Sequence, residues 1–134
     1  MDSSLVSLSK LAIEPYSSIL GYPKATRSEL SKRIRELKKL GIKGVSFTGT
    51  TTLNNVPVLG KGYVGVVVLS NQGKKLVALK IRRMDASRPE MESEAKLLRL
   101  ANEVDVGPKL IDYSKNFIIM EYLEGKKSSI RFLL

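Results

Sequence analysis

The chain has 134 residues, 43% of them apolar, enough for one modest core and short for two full domains. It contains neither cysteine nor histidine, which excludes a disulfide framework, thiolate metal sites, the usual zinc constellations and histidine-based catalysis; any metal would have to bind through carboxylates. The formal charge of +10 is spread out, with nine Lys/Arg against four Asp/Glu in residues 1–59 and fourteen against nine in residues 60–134, and it favours acidic partners such as nucleotides, nucleic acid or an acidic protein. No basic stretch followed by an apolar core opens the chain, and no apolar run approaches the ~20 residues that span a bilayer, so a cytoplasmic location with no membrane partner is expected.

Residues 1–25 carry Pro15, Gly21 and Pro23 and admit at most a short helix near Leu5–Ile13. Thr26-Arg27-Ser28-Glu29 has capping-box spacing, Leu30, Ile34 and Leu37 recur at helical intervals, and Leu40-Gly41 suits a stop, so an amphipathic helix is predicted over about 27–40. Val45-Ser46-Phe47 suits a short strand, and residues 48–55 are turn-forming. From Val56 the pattern becomes strand-like: Val56–Gly60, Gly65–Ser70 and Lys75–Arg83, with Asn71-Gln72-Gly73-Lys74 as the hairpin turn. Ser87-Arg88-Pro89-Glu90 is a second capping box, opening a helix to about Asn102 with Met91, Glu94, Ala95, Leu98 and Ala101 on one face. Gly107-Pro108 interrupts the pattern, after which Lys109–Tyr113 and Asn116–Tyr122 read as strands around a turn at Ser114-Lys115. Leu123-Glu124-Gly125 reads as a hinge and Lys126–Leu134 as a tail.

Gly60-Lys61-Gly62-Tyr63-Val64-Gly65 matches G-x-G-x-x-G, a spacing that dinucleotide-binding folds share. In those folds the third glycine opens a helix, whereas here the β-branched run Val66-Val67-Val68 follows directly, so the loop caps a hairpin. Glycine at these positions permits positive φ and removes the Cβ that would separate backbone amides from a phosphate, and Tyr63 falls at the loop tip. A glycine-rich turn without a ligand is the plain alternative.

Val77-Ala78-Leu79-Lys80 puts a lysine inside an apolar strand, with Val77 and Leu79 on one face and Ala78 and Lys80 on the other. A buried ammonium requires an anion, and Glu94, between Met91 and Leu98 on the inward face of the next helix, is the natural partner. Glu92 points away from that face and Glu90 is better used by the cap. The plain alternative has Lys80 reaching solvent at a sheet edge and Glu94 on the helix surface.

With these segments in this order, the chain resembles the amino-terminal lobe of a eukaryotic-like protein kinase. Leu59–Val67, Ala78–Arg83, Glu94-Ala95, Gly107–Leu110 and Met120-Glu121 resemble in particular the archaeal predicted serine/threonine kinases related to the RIO and KEOPS-associated group. The resemblance covers about residues 56–125. It implies that Gly60, Lys61, Gly62, Tyr63 and Gly65 cover the phosphates of ATP, that Val67 and Ala78 roof the adenine, and that Lys80 holds the α- and β-phosphates while Glu94 fixes Lys80. Met120 corresponds to the gatekeeper, and the backbones of Glu121 and Leu123 would read the adenine edge. A kinase also needs two aspartates and an asparagine beyond the hinge, whereas residues 126–134 contain none, so the second lobe and its Mg2+ are not expected within this chain and phosphoryl transfer is not expected of it alone.

The expected organisation is therefore an extension over residues 1–55, a kinase-like lobe over 56–125 and a tail over 126–134. The expected fold is α+β, a five-stranded antiparallel sheet with one packed helix and an added amino-terminal helix. A second reading makes the chain a non-catalytic binding module: residues 26–47 as the end of a winged helix, with Arg27, Lys32, Arg33, Arg35, Lys38 and Lys39 against nucleic-acid phosphates or a protein. The same residues also suit an ordinary solvated helix face. A lobe without its partner lobe would expose apolar surface, which favours a protein partner or a homodimer.

Overall fold

The structure is a computed structural model, and it describes residues 5–87 and 91–122. Its centre is the hairpin of β6 (Gly65–Gln72) and β7 (Lys75–Arg82), paired in unbroken register from Gly65↔Arg82 to Gln72↔Lys75. Gly73 turns the hairpin at φ +60°, a conformation that costs a residue with a Cβ 1–2 kcal/mol or so. The expected second and third strands are thus observed, with β6 continuing to Gln72.

Around this hairpin an α+β fold is built. β7 pairs on its far side with β9 (Phe117–Glu121), which pairs with β8 (Leu110–Tyr113). On the near side β6 pairs through its first half with β5 (Gly60–Lys61) and through its second half with β2 (Ile42–Ser46), and β2 pairs with β1 (Leu5–Ser7). The sheet therefore has seven strands, with every pairing antiparallel, where five were expected. The two additional strands come from the amino-terminal segment. Leu5–Ser7 pairs with a partner some forty residues away and is followed by a 3-10 helix at Leu8–Ala12, so the short helix expected near Leu5–Ile13 forms only over its second part and as 3-10. β2 belongs to this central sheet and is not the first strand of a separate wing.

The single strand expected over Val56–Gly60 is divided. Thr51–Leu53 (β3) and Val56–Val58 (β4) form their own two-stranded sheet, while Gly60 and Lys61 join β6. Asn54 and Asn55 make the turn of that small hairpin at φ 50° and 67°, the left-handed pair that a two-residue hairpin of this twist requires and that asparagine tolerates.

Both faces of the large sheet are apolar. Val66, Val68, Val77, Leu79, Ile81, Phe117 and Ile119 point to one side, which explains why β6 and β9 read as continuous apolar runs. That side is covered by Leu11 of the 3-10 turn, by Ile19 and Leu20 of α1 (Ser17–Leu20), and by Leu30 and Leu37 of α2 (Arg27–Lys39). α2 starts on the expected capping box, with Thr26 Oγ1 accepting from Glu29 N at 3.1 Å and Glu29 Oε1 accepting from Thr26 N at 2.7 Å. The Thr26 N–H holds the Glu29 carboxyl below its ordinary value, so the cap is complete at neutral pH and is lost only as acid takes the pH through that lowered value.

The opposite side carries Val67, Ala78, Ile118 and Met120 and is covered by Met91, Ala95 and Leu98 of α3 (Glu92–Glu103). α3 begins at Glu92, not near Ser87. Met91 is its N-cap without a side-chain capping bond, and the Met91 N–H donates to Lys115 O at 2.9 Å, so the β8–β9 turn anchors the helix start. Arg88, Pro89 and Glu90 of the expected capping box lie outside the described residues, as do Leu123–Gly125 and the tail.

One polar network ties α2 to this framework. Arg33 is 2% exposed, and its Nη1 donates to Leu20 O at 2.9 Å and to Arg82 O at 2.6 Å. One turn on, Glu36 accepts from Asn116 N and Asn116 Nδ2, both at 2.8 Å, and from Ser114 Oγ. Arg33 is thus a structural cation, and it is not available for the phosphate contact that the winged-helix reading gave it; Arg27, Lys32, Arg35, Lys38 and Lys39 remain exposed. Removing Glu36 would strip three half-buried donors of one acceptor. We therefore expect Glu36→Ala to lower the unfolding free energy in urea by roughly 2–4 kcal/mol, against less than about 0.5 kcal/mol for Lys38→Ala on the exposed face; equal losses for the two variants would contradict this role.

Candidate functional site

The site is built on the α3 face of the sheet. In the register of β6, β7 and β9, Lys80 lies between Val67 and Ile118, and Ala78 lies beside Met120. Cross-strand neighbours share a face, so Val67, Ala78, Met120 and Lys80 form one layer, apolar except for the ammonium. Lys80 is 5% exposed. Its Nζ donates to Glu94 Oε1 at 2.7 Å, which is the pair the sequence pointed to.

Each partner is held by its own element. Glu94 stands in the first turn of α3, where a carboxylate is favoured by the helix dipole, and Met91 and Ala95 beside it are fully buried. Glu92 turns outward and pairs with Lys96 at 3.2 Å. On the strand side, the Lys80 stem runs across Gly65: a Cβ there would stand 2.7 Å from Ile81 O, 3.0 Å from Lys80 Cγ and 3.1 Å from Lys80 Cε. Gly65 is glycine because the lysine and a neighbouring backbone carbonyl occupy the space of a side chain.

The rest of the glycine loop departs from the sequence reading in two ways. The loop glycines do not use positive φ; among the described residues the glycines that do are Gly41, Gly49, Gly73 and Gly107. The Gly62 N–H is turned into the loop, donating to Gly65 O at 2.9 Å, and so does not aim at an anion. Tyr63 is at the tip as expected and is 94% exposed. Gly60 pairs with Val67 on the Lys80 side of β6, but Lys61 pairs with Val66, whose side chain is in the opposite layer. Strand alternation therefore sends the Lys61 ammonium away from Lys80, to Tyr22 Oη at 3.4 Å.

Tyr22 is the residue of this region that sequence reasoning missed. Its ring faces the Lys61 ammonium at 5.6 Å and the Arg83 guanidinium at 5.1 Å, and its carbonyl accepts from Met84 N at 2.7 Å. Arg83 in turn donates from Nη1 to Gly62 O at 3.2 Å and from its main chain to Val64 O at 2.7 Å. Asp85 binds the same guanidinium at 2.8 Å; this raises the Arg83 pKa and lowers that of Asp85. The amino-terminal segment thus braces the glycine loop from behind. Gly21-Tyr22-Pro23 carries the mark of a turn, with no signal of this contact.

Met120 is buried, Glu121 is half-buried with its N–H donating to Lys109 O at 2.9 Å, and Leu123 lies outside the described residues. Among the described residues no helix is long and apolar enough to cross a membrane. No protein-family model matches the chain, and no curated protein matches it.

The close approach at Gly65 gives a direct test. Gly65→Ala should lower stability by about 1–3 kcal/mol, because the Ile81 carbonyl cannot withdraw without opening the β6–β7 ladder. Thermal unfolding of this variant beside Gly62→Ala separates the two glycines, and an unchanged midpoint for Gly65→Ala would show that the strands are not held this close.

Proposed function

We propose that the chain is the nucleotide-holding lobe of a protein-kinase-like protein and binds ATP against the α3 face of its sheet. The observation that carries this reading is the Lys80–Glu94 pair: a buried ammonium fixed at 2.7 Å by a helical carboxylate, beside a glycine-rich hairpin. Protein kinases use the same arrangement, a strand lysine that pairs the nucleotide phosphates and a helical glutamate, under a glycine-rich loop. The order β5-β6-β7-β9-β8, with α3 between β7 and β8, supports the same family.

The donor set fits a triphosphate. Lys80 has three N–H donors and one of them is engaged by Glu94, so α- and β-phosphate oxygens would complete its shell and leave the three charges mutually satisfied. Val67 and Ala78 beside Met120 would form the apolar wall for the adenine once the cover that buries them moves aside, and the backbones of Glu121 and Leu123 would read its edge. Gly60, Lys61, Gly62, Tyr63 and Gly65 would lie over the phosphates, Lys61 through its backbone only. Bound ATP supplies the transferable phosphoryl group. The side chains of this chain would bind and orient it; residues 126–134 contain no aspartate of the kind that positions an acceptor hydroxyl or holds Mg2+ in kinases. The function proposed is thus nucleotide binding as part of a transfer apparatus.

Titration with MgATP followed by amide NMR tests this. Wild-type protein should show saturable shifts at Val67, Lys80 and Met120, Lys80→Met should lose them while keeping a cooperative unfolding transition, and Lys61→Ala should retain them. Saturable shifts of equal size in Lys80→Met would overturn the reading.

A further inference from the structure

Between Glu36 and Asp85 the chain carries nine Lys/Arg and no Asp or Glu. Four of the nine have partners: Lys80 with Glu94, Arg83 with Asp85, Arg82 with Asn116, and Lys61 with Tyr22. The other five are Lys38, Lys39, Lys43, Lys74 and Lys75. All are exposed, and none has an acidic partner among the described residues.

The fold gathers these five at one end of the molecule. Gly41, at φ +81°, turns the chain from α2 into β2, and its carbonyl accepts from Gly73 N of the β6–β7 turn at 3.1 Å. Gln72 Nε2 fixes the same contact by donating to Leu40 O at 2.8 Å. Every one of the five lysines lies within three residues of Gly41 or Gly73, so α2, β2 and the hairpin together present like charges. The end is open, since a Cβ on Gly73 would meet nothing within 4 Å. A helix C-terminus favours cations and accounts for Lys38 and Lys39, but Lys43, Lys74 and Lys75 lie outside the helix and only add repulsion. Arg35 and Lys32, exposed at i−4 and i−7 from Lys39, carry the charge back about 10 Å along α2.

We propose that this end of the molecule binds the phosphate backbone of a nucleic-acid duplex. Compact ammonium groups on flexible stems suit a row of phosphates; each contact releases counterions and carries no sequence information. No aromatic residue lies within three residues of Gly41 or Gly73, so unpaired bases have nothing to stack on, which favours a duplex over a single strand. Leu76 is the exposed large apolar side chain of this end, one residue where a lipid surface or a protein interface would need several. The surface is separate from Lys80 and does not depend on the nucleotide reading.

Fluorescence anisotropy with a short DNA duplex, an RNA duplex, a DNA single strand of equal length and labelled poly-glutamate, over a series of KCl concentrations, tests the proposal. Three double variants separate the sources of charge: Lys74→Ala/Lys75→Ala in the hairpin, Lys38→Ala/Lys39→Ala on α2, and Arg99→Ala/Lys115→Ala. The last removes the same charge from α3 and from beside Asn116 at the opposite end of β7. All six side chains are exposed, so each variant should keep the wild-type unfolding midpoint. The hairpin and α2 variants should each bind duplex roughly tenfold more weakly than wild type and flatten the slope of log K against log[KCl] by about two, while the third changes affinity by less than about threefold. Binding of either duplex, or of both, supports the proposal and names its form. Equal loss in all three variants, loss in the α2 variant alone, tighter binding of the single strand or of poly-glutamate, or no binding would each overturn it.

Discussion

A lysine ammonium inside an apolar layer is the constraint around which this fold is arranged. Leaving either partner of such a pair alone costs about 3–5 kcal/mol when both are fully buried, and somewhat less where, as at Glu94, some solvent reaches the carboxylate. The structure meets the requirement by bringing the first turn of α3 over β7. Met91, Ala95 and Leu98 then seal the helix onto Val67, Ala78, Ile118 and Met120, and the β8–β9 turn holds the helix start through Lys115 O. Gly65 completes the arrangement from the other strand, because a Cβ there would stand 2.7 Å from Ile81 O and press on the lysine stem.

The opposite layer has a different task. A sheet with apolar residues on both faces cannot stand with one face in water, and here the amino-terminal segment covers the second one with its helices while adding two strands to the edge. The same segment reaches the site indirectly. Tyr22 supports Lys61 and Arg83, and Arg83 holds the carbonyls of Gly62 and Val64, so the glycine loop is braced by a residue some forty positions before it. Rigidity of the loop and cover of the core are therefore supplied by one piece of chain.

The parts legible in the sequence were those with strong local signals. The β-branched run after Gly65 and the capping box at Thr26 each name their structure, the hairpin turn was read over Asn71–Lys74 and closes on its last two residues, and the position of Glu94 on the Met91/Leu98 face was enough to pair it with Lys80. What escaped depends on distant partners. Leu5–Ser7 is a strand only because β2 is there to receive it, and β3 is too short to stand out beside the Asn54-Asn55 turn. Arg33 carried a readable clue: it lies three residues after Leu30 and four before Leu37, on the apolar stripe itself, and the structure buries it. Leu97 and Leu100 show the converse, since they are apolar and yet more than half exposed on the outer side of α3. Neither Tyr22 nor the inward turn of the Gly62 amide left any trace in the spacing of the motif.

Lys80 is the group proposed to meet nucleotide phosphates. An acyl-phosphate derivative of ATP transfers its acyl group to an amine lying beside the bound phosphates, and peptide mapping then locates the modified lysine. Acylation concentrated at Lys80 and suppressed by excess MgATP is the result expected of such a lysine. Acylation spread over exposed lysines such as Lys38 and Lys39, with no protection by MgATP, would contradict it.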